Sequence, residues 1–204
     1  MVINLAAGLD ARPYRMNVPA LLQWIEVDLP EILDYKAQVM QDERPVCALE
    51  RVALDLANVS GRRGLFEQLG KRATKALIIS EGLIIYFTAE EVASLARDLA
   101  APASFGRWIL DLASPGLVKM LQKKMPQLRQ GGTTLKFGPP EGPEFFVPCG
   151  WQPLDVRSFF KTAARLKRLP FLMSLMAWLP ESNGAQGSRP WAAACLMAKQ
   201  RTAL

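Results

Sequence analysis

The sequence predicts an α/β fold with an open, mostly parallel sheet. Three observations carry this. Short apolar segments alternate with helical ones through the first 112 residues. Five of the apolar segments end at or beside an acid. Half of the residues are hydrophobic and 22% are charged, which is the balance of a globular chain and not of a disordered one. A chain of 204 residues can bury one substantial core, so a single domain over 1–204 is expected.

The elements follow in order. Val2 to Leu5 is a short apolar strand, followed by a small-residue turn, Ala6-Ala7-Gly8-Leu9-Asp10. Trp24 to Val27 is a second strand ending at Asp28, and Pro30 then opens a helix through Gln41. Arg51 to Leu54 is a third strand, ending at Asp55, and Ser60 to Gly70 a helix with Leu65, Phe66 and Leu69 on one face. Ala76 to Ile79 is a fourth strand, before Ser80-Glu81-Gly82. Thr88 with Glu91 three positions on forms a capping box for a helix running to about Ala100. Arg107 to Leu110 is a fifth strand, ending at Asp111.

Beyond this point the character changes. Pro115 to Gln130 reads as a basic amphipathic helix and Gly131 to Pro143 as a Gly/Pro-rich loop, so 113–143 is expected to be an insertion acting as a lid. Glu144 to Val147 reads as a strand and Leu154 to Leu166 as a helix. Trp191 to Met197 is a last strand, reached through a Gly/Ser/Asn-containing loop of the kind that joins a hairpin.

Composition narrows the chemistry. The chain has no histidine, which excludes a Ser-His or Cys-His pair and any His-ligated metal, and no metal site is expected. Cys47, Cys149 and Cys195 are odd in number and form no C-x-x-C pair, which fits a reducing, cytoplasmic setting. No apolar run reaches the roughly 18 to 20 residues of a membrane span. Met1-Val2-Ile3-Asn4-Leu5 lacks a basic leader and begins directly as a strand, so no signal peptide is expected and a segment upstream is expected to be missing. Charge is uneven: residues 1–116 carry 12 Lys+Arg against 15 Asp+Glu, net −3, and residues 117–204 carry 13 against 4, net +9. Two halves of opposite sign suit different ligands.

The acids at the strand ends are Asp10, Glu26 with Asp28, Asp55, Glu81 and Asp111. Any one of them is accounted for as a helix cap, but ligands of open α/β sheets bind at the carboxyl ends of strands, where all five would gather. Crowded carboxylates repel unless something cationic or rich in donors lies among them. Asp28 follows Gly8 by twenty positions, the separation of a ribose-binding acid from its glycine turn. That spacing also fits a nicotinamide dinucleotide. Against it, the turn has one glycine where a pyrophosphate loop uses G-x-G-x-x-G, and Asp10 sits where a phosphate would be repelled. A sulfonium nucleoside carries no phosphate and has a positive centre. Asp28 would then serve the ribose hydroxyls, Asp55 the adenine amine, and Glu81 the methionine or ribose.

Four segments resemble the leucine carboxyl methyltransferase family, which includes bacterial polyketide O-methyltransferases. They are Val2 to Arg15, Trp24-Ile25-Glu26-Val27-Asp28-Leu29-Pro30, Asp55-Leu56, and Ser80-Glu81-Gly82-Leu83-Ile84-Ile85-Tyr86, in the family's order over the first 90 residues or so. The resemblance implies a Rossmann-like class I methyltransferase fold of seven strands with helices on both faces. It also implies that Gly8, Asp28, Asp55, Leu56 and Glu81 contact S-adenosyl-L-methionine, and that a methyl group passes to a carboxylate or hydroxyl oxygen. Two departures stand out: the family's usual first glycine is Ala6 here, and its helical N-terminal segment has no counterpart. The competing expectation is a truncated, non-catalytic remnant or binding module with the same fold.

Arg12 and Arg15 follow the turn, and either hold a carboxylate or are solvated first-turn arginines. Tyr86 either lines the methyl-transfer site or packs as a rim tyrosine. Arg12 and Tyr86 are the candidate catalytic residues. Lys119, Lys123, Lys124 and Arg129 form a basic face, either solvated or guiding a small anionic acceptor. Lys161, Arg165, Lys167 and Arg168 lack the interleaved aromatics of a nucleic-acid surface, so neither a nucleic-acid nor a membrane partner is expected. Leu169 to Leu179, with Met173, Met176 and Trp178, is either a packed apolar helix or part of an acceptor pocket.

Overall fold

The computed structural model describes residues 1–124, 134–170 and 189–200. Seven strands form one sheet in the order β3-β2-β1-β4-β5-β7-β6. They are β1 (Val2–Leu5), β2 (Gln23–Asp28), β3 (Ala48–Ala53), β4 (Ala76–Ser80), β5 (Phe105–Ala113), β6 (Trp151–Ser158) and β7 (Ala192–Lys199). The helices are α1 (Arg12–Arg15), α2 (Pro30–Val39), α3 (Val59–Arg72), α4 (Ala89–Ala100), α5 (Pro115–Lys124) and α6 (Phe159–Arg165), with 3-10 turns at Ile84–Tyr86 and Gly142–Cys149. Contacts divide the chain into two compact units, Met1–Leu83 with Arg97–Ile109, and Ile84–Ala96 with Leu110–Leu204. None of the described helices is long and apolar enough to cross a membrane.

In the first unit β1 lies between β2 and β4, parallel to both, and β3 runs parallel to β2. Strands covered on both faces read as continuous apolar runs, and Ile3, Leu5, Ile25, Val27 and Ile78 have no exposed surface. The register pairs Leu5 with both Val27 and Ser80, and Asp28 with Ala53. The carboxyl ends of four strands are therefore level, so the segments leaving them emerge at one edge. Local chemistry starts each helix: α2 has Pro30 in its first turn, and α3 is capped by Asn58, whose Oδ1 accepts the Gly61 N–H at 3.0 Å.

In the second unit the capping box forms as expected. The Thr88 N–H donates to Glu91 at 2.7 Å, and the Glu91 N–H donates to Thr88 Oγ1 at 3.2 Å. β6 and β7 pair antiparallel, from Trp151 against Lys199 to Ser158 against Ala193. The buried Trp151 indole donates to the Ala96 carbonyl at 2.9 Å.

Three expectations are corrected here. The helix expected over Leu154 to Leu166 is a strand up to Ser158, and a helix only from Phe159. Pairing with β7 recruits the first part, and Ser158 starts the helix by accepting the Lys161 N–H. Glu144 to Val147 lies in a 3-10 turn with Pro143 near its start and Pro148 inside, and proline lacks the N–H of a central strand. β5 is longer than Arg107 to Leu110 and carries Asp111 within it. The basic helix is described to Lys124; Arg129 and the segment from Phe171 to Leu179 lie outside the described residues.

Candidate active site at the carboxyl ends of β1 to β4

The turn after β1 is built on left-handed backbone. Ala6 has φ 51° and Gly8 φ 48°. Left-handed geometry is costless for glycine but brings the Cβ of an L-residue against its own carbonyl, so the alanine is the strained member of the pair. A Cβ added to Gly8 would meet nothing within 4 Å, so open space lies above the turn there.

Asp28 secures the turn from the next strand. Its Oδ2 accepts the Gly8 N–H at 2.7 Å and its Oδ1 accepts the Leu29 N–H at 2.8 Å. Asp28 is 9% exposed and its carboxylate is held by two amides, and each oxygen keeps a second lone pair for a donor such as a ribose hydroxyl. The twenty-residue separation of Gly8 and Asp28 is thus a direct hydrogen bond.

Beside the turn, Asn4, Ala6, Ala7, Asp10, Arg12 and Glu81 line a cleft of about 420 Å³. Asn4, buried in β1, donates to Asp10 Oδ2 at 2.8 Å. The Arg12 guanidinium contacts both Asp10 oxygens at 2.9 Å, and its Nη2 donates to Glu81. Burial works against the charge of Arg12, but the hydrogen bond and charge of Asp10, with a further contribution from Glu81, outweigh it and raise its pKa. Arg12 therefore ties the acid after β1 to the acid after β4. Asn4 was missed from sequence; its signal was a polar residue in a four-residue apolar strand.

The loop after β3 is equally ordered. Leu54 N–H donates to the Asp28 carbonyl at 2.8 Å, and Asp55 Oδ1 accepts the Ala57 N–H at 2.8 Å. Asp55 is exposed, whereas the Leu56 side chain is 5% exposed and belongs to the core. Leu56 can offer a ligand its backbone, not its side chain.

Two members of the expected acidic row are placed elsewhere. Glu26 has no exposed surface and is neutralised by Lys36 Nζ at 2.6 Å and Arg51 Nε at 3.2 Å. It sits one alternation before the strand end, where the helix α2 covers it. Asp111 lies inside β5 and belongs to the second unit, because that strand continues to Ala113. Tyr86 also belongs to the second unit, half-buried against a cluster of Ala113, Val118 and Leu135. Arg15 is exposed. Lys119, Lys123 and Lys124 are exposed on α5, and the first two line a cleft of about 650 Å³ with Pro115, Gly116, Met120, Pro140 and Pro190.

The first unit thus sets Gly8, Asp10, Arg12, Asp28, Asp55 and Glu81 at one strand edge. The set is rich in carboxylates, which accept hydrogen bonds and repel phosphates, and so suits a cationic nucleoside without them.

A leucine carboxyl methyltransferase family model matches residues 1–100. A Frankia alni protein carrying the name of an S-adenosyl-L-methionine-dependent methyltransferase is 31% identical over 81% of the chain, which covers 60% of that protein. The tetracenomycin polyketide synthesis O-methyltransferase TcmP of Streptomyces glaucescens is 26% identical over 68% of the chain, covering 48% of its length. The chain therefore spans roughly half to three-fifths of the relatives it matches. Magnesium protoporphyrin IX methyltransferase from Synechocystis, crystallised with S-adenosylhomocysteine, shares the fold at TM-score 0.53 and 14% identity, over 98% of this chain and 74% of that one.

Proposed function

We propose, from the match of residues 1–100 to a leucine carboxyl methyltransferase family model, that the chain binds S-adenosyl-L-methionine in its first unit and serves methyl transfer to an oxygen of a small anionic acceptor. The observation that carries this reading is the Asp28 carboxylate, joined to the glycine turn at the level strand ends that Asp10, Asp55 and Glu81 follow. Asp28 would hold the ribose hydroxyls through its remaining lone pairs. Asp55 would accept from the adenine amine, with Leu56 contributing through its backbone. Asp10 and Glu81 offer negative charge to the cationic end, with Arg12 setting their separation. The bound group supplies a methyl on a positively charged sulfur, and its transfer needs alignment and exclusion of water more than acid–base machinery. That suits a chain without histidine.

Oxygen as acceptor atom is supported by the likeness to TcmP, whose name specifies O-methylation. A carboxylate acceptor needs no base at neutral pH; a hydroxyl does. An anionic acceptor is supported by the +9 charge of residues 117–204 and by Lys119 and Lys123 along an apolar cleft. Tyr86 is assigned to the acceptor side, and a cytoplasmic setting is supported by three buried thiols.

Calorimetry with S-adenosylhomocysteine tests the reading. Asp28→Ala is expected to weaken binding about 10- to 100-fold, the worth of one or two hydrogen bonds to a charged group. Asp34→Ala, on the exposed side of α2, should leave it unchanged. Absence of binding to the folded wild type at millimolar ligand refutes the proposal.

A further inference from the structure

Arg62 and Asp98 form a buried pair whose cost the fold alone does not explain. Arg62 is 2% and Asp98 8% exposed. The guanidinium Nε and Nη2 both contact Asp98 Oδ2 at 2.8 Å. Each charge also stands at the unfavourable end of its helix. Arg62 lies near the start of α3, where the helix dipole repels cations, and Asp98 lies in the last turn of α4, where it repels anions. Desolvation adds to this, and apolar residues of the same shape commonly serve a core as well or better.

The remaining reach of the guanidinium supplies a reason. Arg62 Nη1 donates to the Leu56 carbonyl at 3.0 Å, inside the loop that carries Asp55. That loop also hangs on the Asp28 carbonyl through Leu54 N–H and on its own Asp55 turn. A Cβ on Gly61 would lie 2.8 Å from Leu54 Cδ1, so α3 begins hard against the loop. A planar fork locked on Asp98 can hold one carbonyl in a fixed direction, whereas an ammonium on a flexible stem imposes no fixed direction on either partner.

We infer that Arg62, locked by Asp98, is a positioning residue that fixes the Asp55–Leu56 loop and thereby sets selectivity for a 6-amino over a 6-oxo purine nucleoside. The inference rests on the proposed function, in which Asp55 faces the adenine amine. An amine donates to that carboxylate. A 6-oxo group presents an acceptor to an acceptor, and the mismatch is felt in full only if the loop cannot turn away.

The test compares the affinities of S-adenosylhomocysteine and S-inosylhomocysteine. Wild type is expected to prefer the 6-amino ligand at least tenfold. The double variant Arg62→Met/Asp98→Leu removes the anchor without leaving a buried charge of the pair. Its preference should fall to threefold or less, chiefly through loss of S-adenosylhomocysteine affinity. Arg62→Lys should behave likewise and covers the case in which the double variant does not fold. Arg63→Gln, which removes only the exposed partner of Asp98 at 2.7 Å, should keep the wild-type preference. Full preference retained in either folded Arg62 variant overturns the inference alone, as does wild type that binds both ligands equally. Wild type that binds neither overturns the proposed function, and the inference with it.

Discussion

Exchanging the two left-handed residues of the turn after β1 separates backbone strain from contact. Ala6 and Gly8 have nearly the same φ, 51° and 48°, and carry opposite solutions to it. An L-residue in this region costs about 1–2 kcal/mol. Glycine avoids that cost but loses about 0.4–1 kcal/mol through its freer unfolded chain. Ala6→Gly is therefore expected to stabilise by about 0.5–1 kcal/mol, and Gly8→Ala to destabilise by a similar ~0.5–1 kcal/mol. Sterics do not enter the second estimate, because a Cβ at Gly8 meets nothing within 4 Å. For a chain of this length about 1 kcal/mol shifts the melting temperature by roughly 2–4 °C, enough to resolve. Urea unfolding gives the free energies, and calorimetry with S-adenosylhomocysteine gives a second readout. The Gly8→Ala methyl projects into the open space above the turn, so its ligand affinity should fall at least tenfold, more than its stability loss requires. Ala6→Gly that destabilises, or Gly8→Ala that is neutral to both, would refute the strained-turn account.

Other outcomes follow from the same structure. Lys36→Met leaves Glu26 buried with Arg51 as its remaining counter-charge, and should cost about 3 kcal/mol in urea unfolding; Glu26→Gln/Lys36→Met should recover at least half, and a single-variant loss below about 1 kcal/mol would contradict the buried pair. Thr88→Ala should cost about 1 kcal/mol by loss of the capping box, while Thr88→Ser should cost little. Burial, with Asp111 and Asp155 adding repulsion, pushes the Cys195 thiol up to about 12 from 9.0. The folded thiol thus holds its proton where the unfolded one has lost it, so this contribution is fully present below pH 9 and declines by up to about 1.4 kcal/mol per pH unit as pH rises toward 12. Cys195→Ala should flatten that alkaline decline in urea melts, and alkylation of Cys195 in the folded protein at pH 8 would contradict it.

Much of the first unit was legible in sequence because its determinants are local. A short, mostly apolar run followed by Ala-Ala-Gly declares a buried strand and its turn, and Pro30 after Asp28 declares a helix start, within a few residues of chain. Parallel pairing then converts the separate strand ends into one edge. The second unit was less legible. Gln152 to Ser158 alternates weakly and is a strand because β7 lies against it, a partner some forty residues away.

The sequence by itself determined which residues stand at or follow the ends of β1 to β4, among them Asp10, Asp28, Asp55 and Glu81, since that depends on order along the chain; it did not determine the end of β5, which runs past Asp111. The tertiary structure alone decided what each charge faces. It turned Glu26 inward to Lys36 and Arg51, left Asp28 and Asp55 at the edge, spent the Arg12 guanidinium on Asp10 and Glu81, and set Arg62 beneath Leu56. A side chain's partner depends on register and helix packing across ten to seventy positions, and no local pattern encodes that.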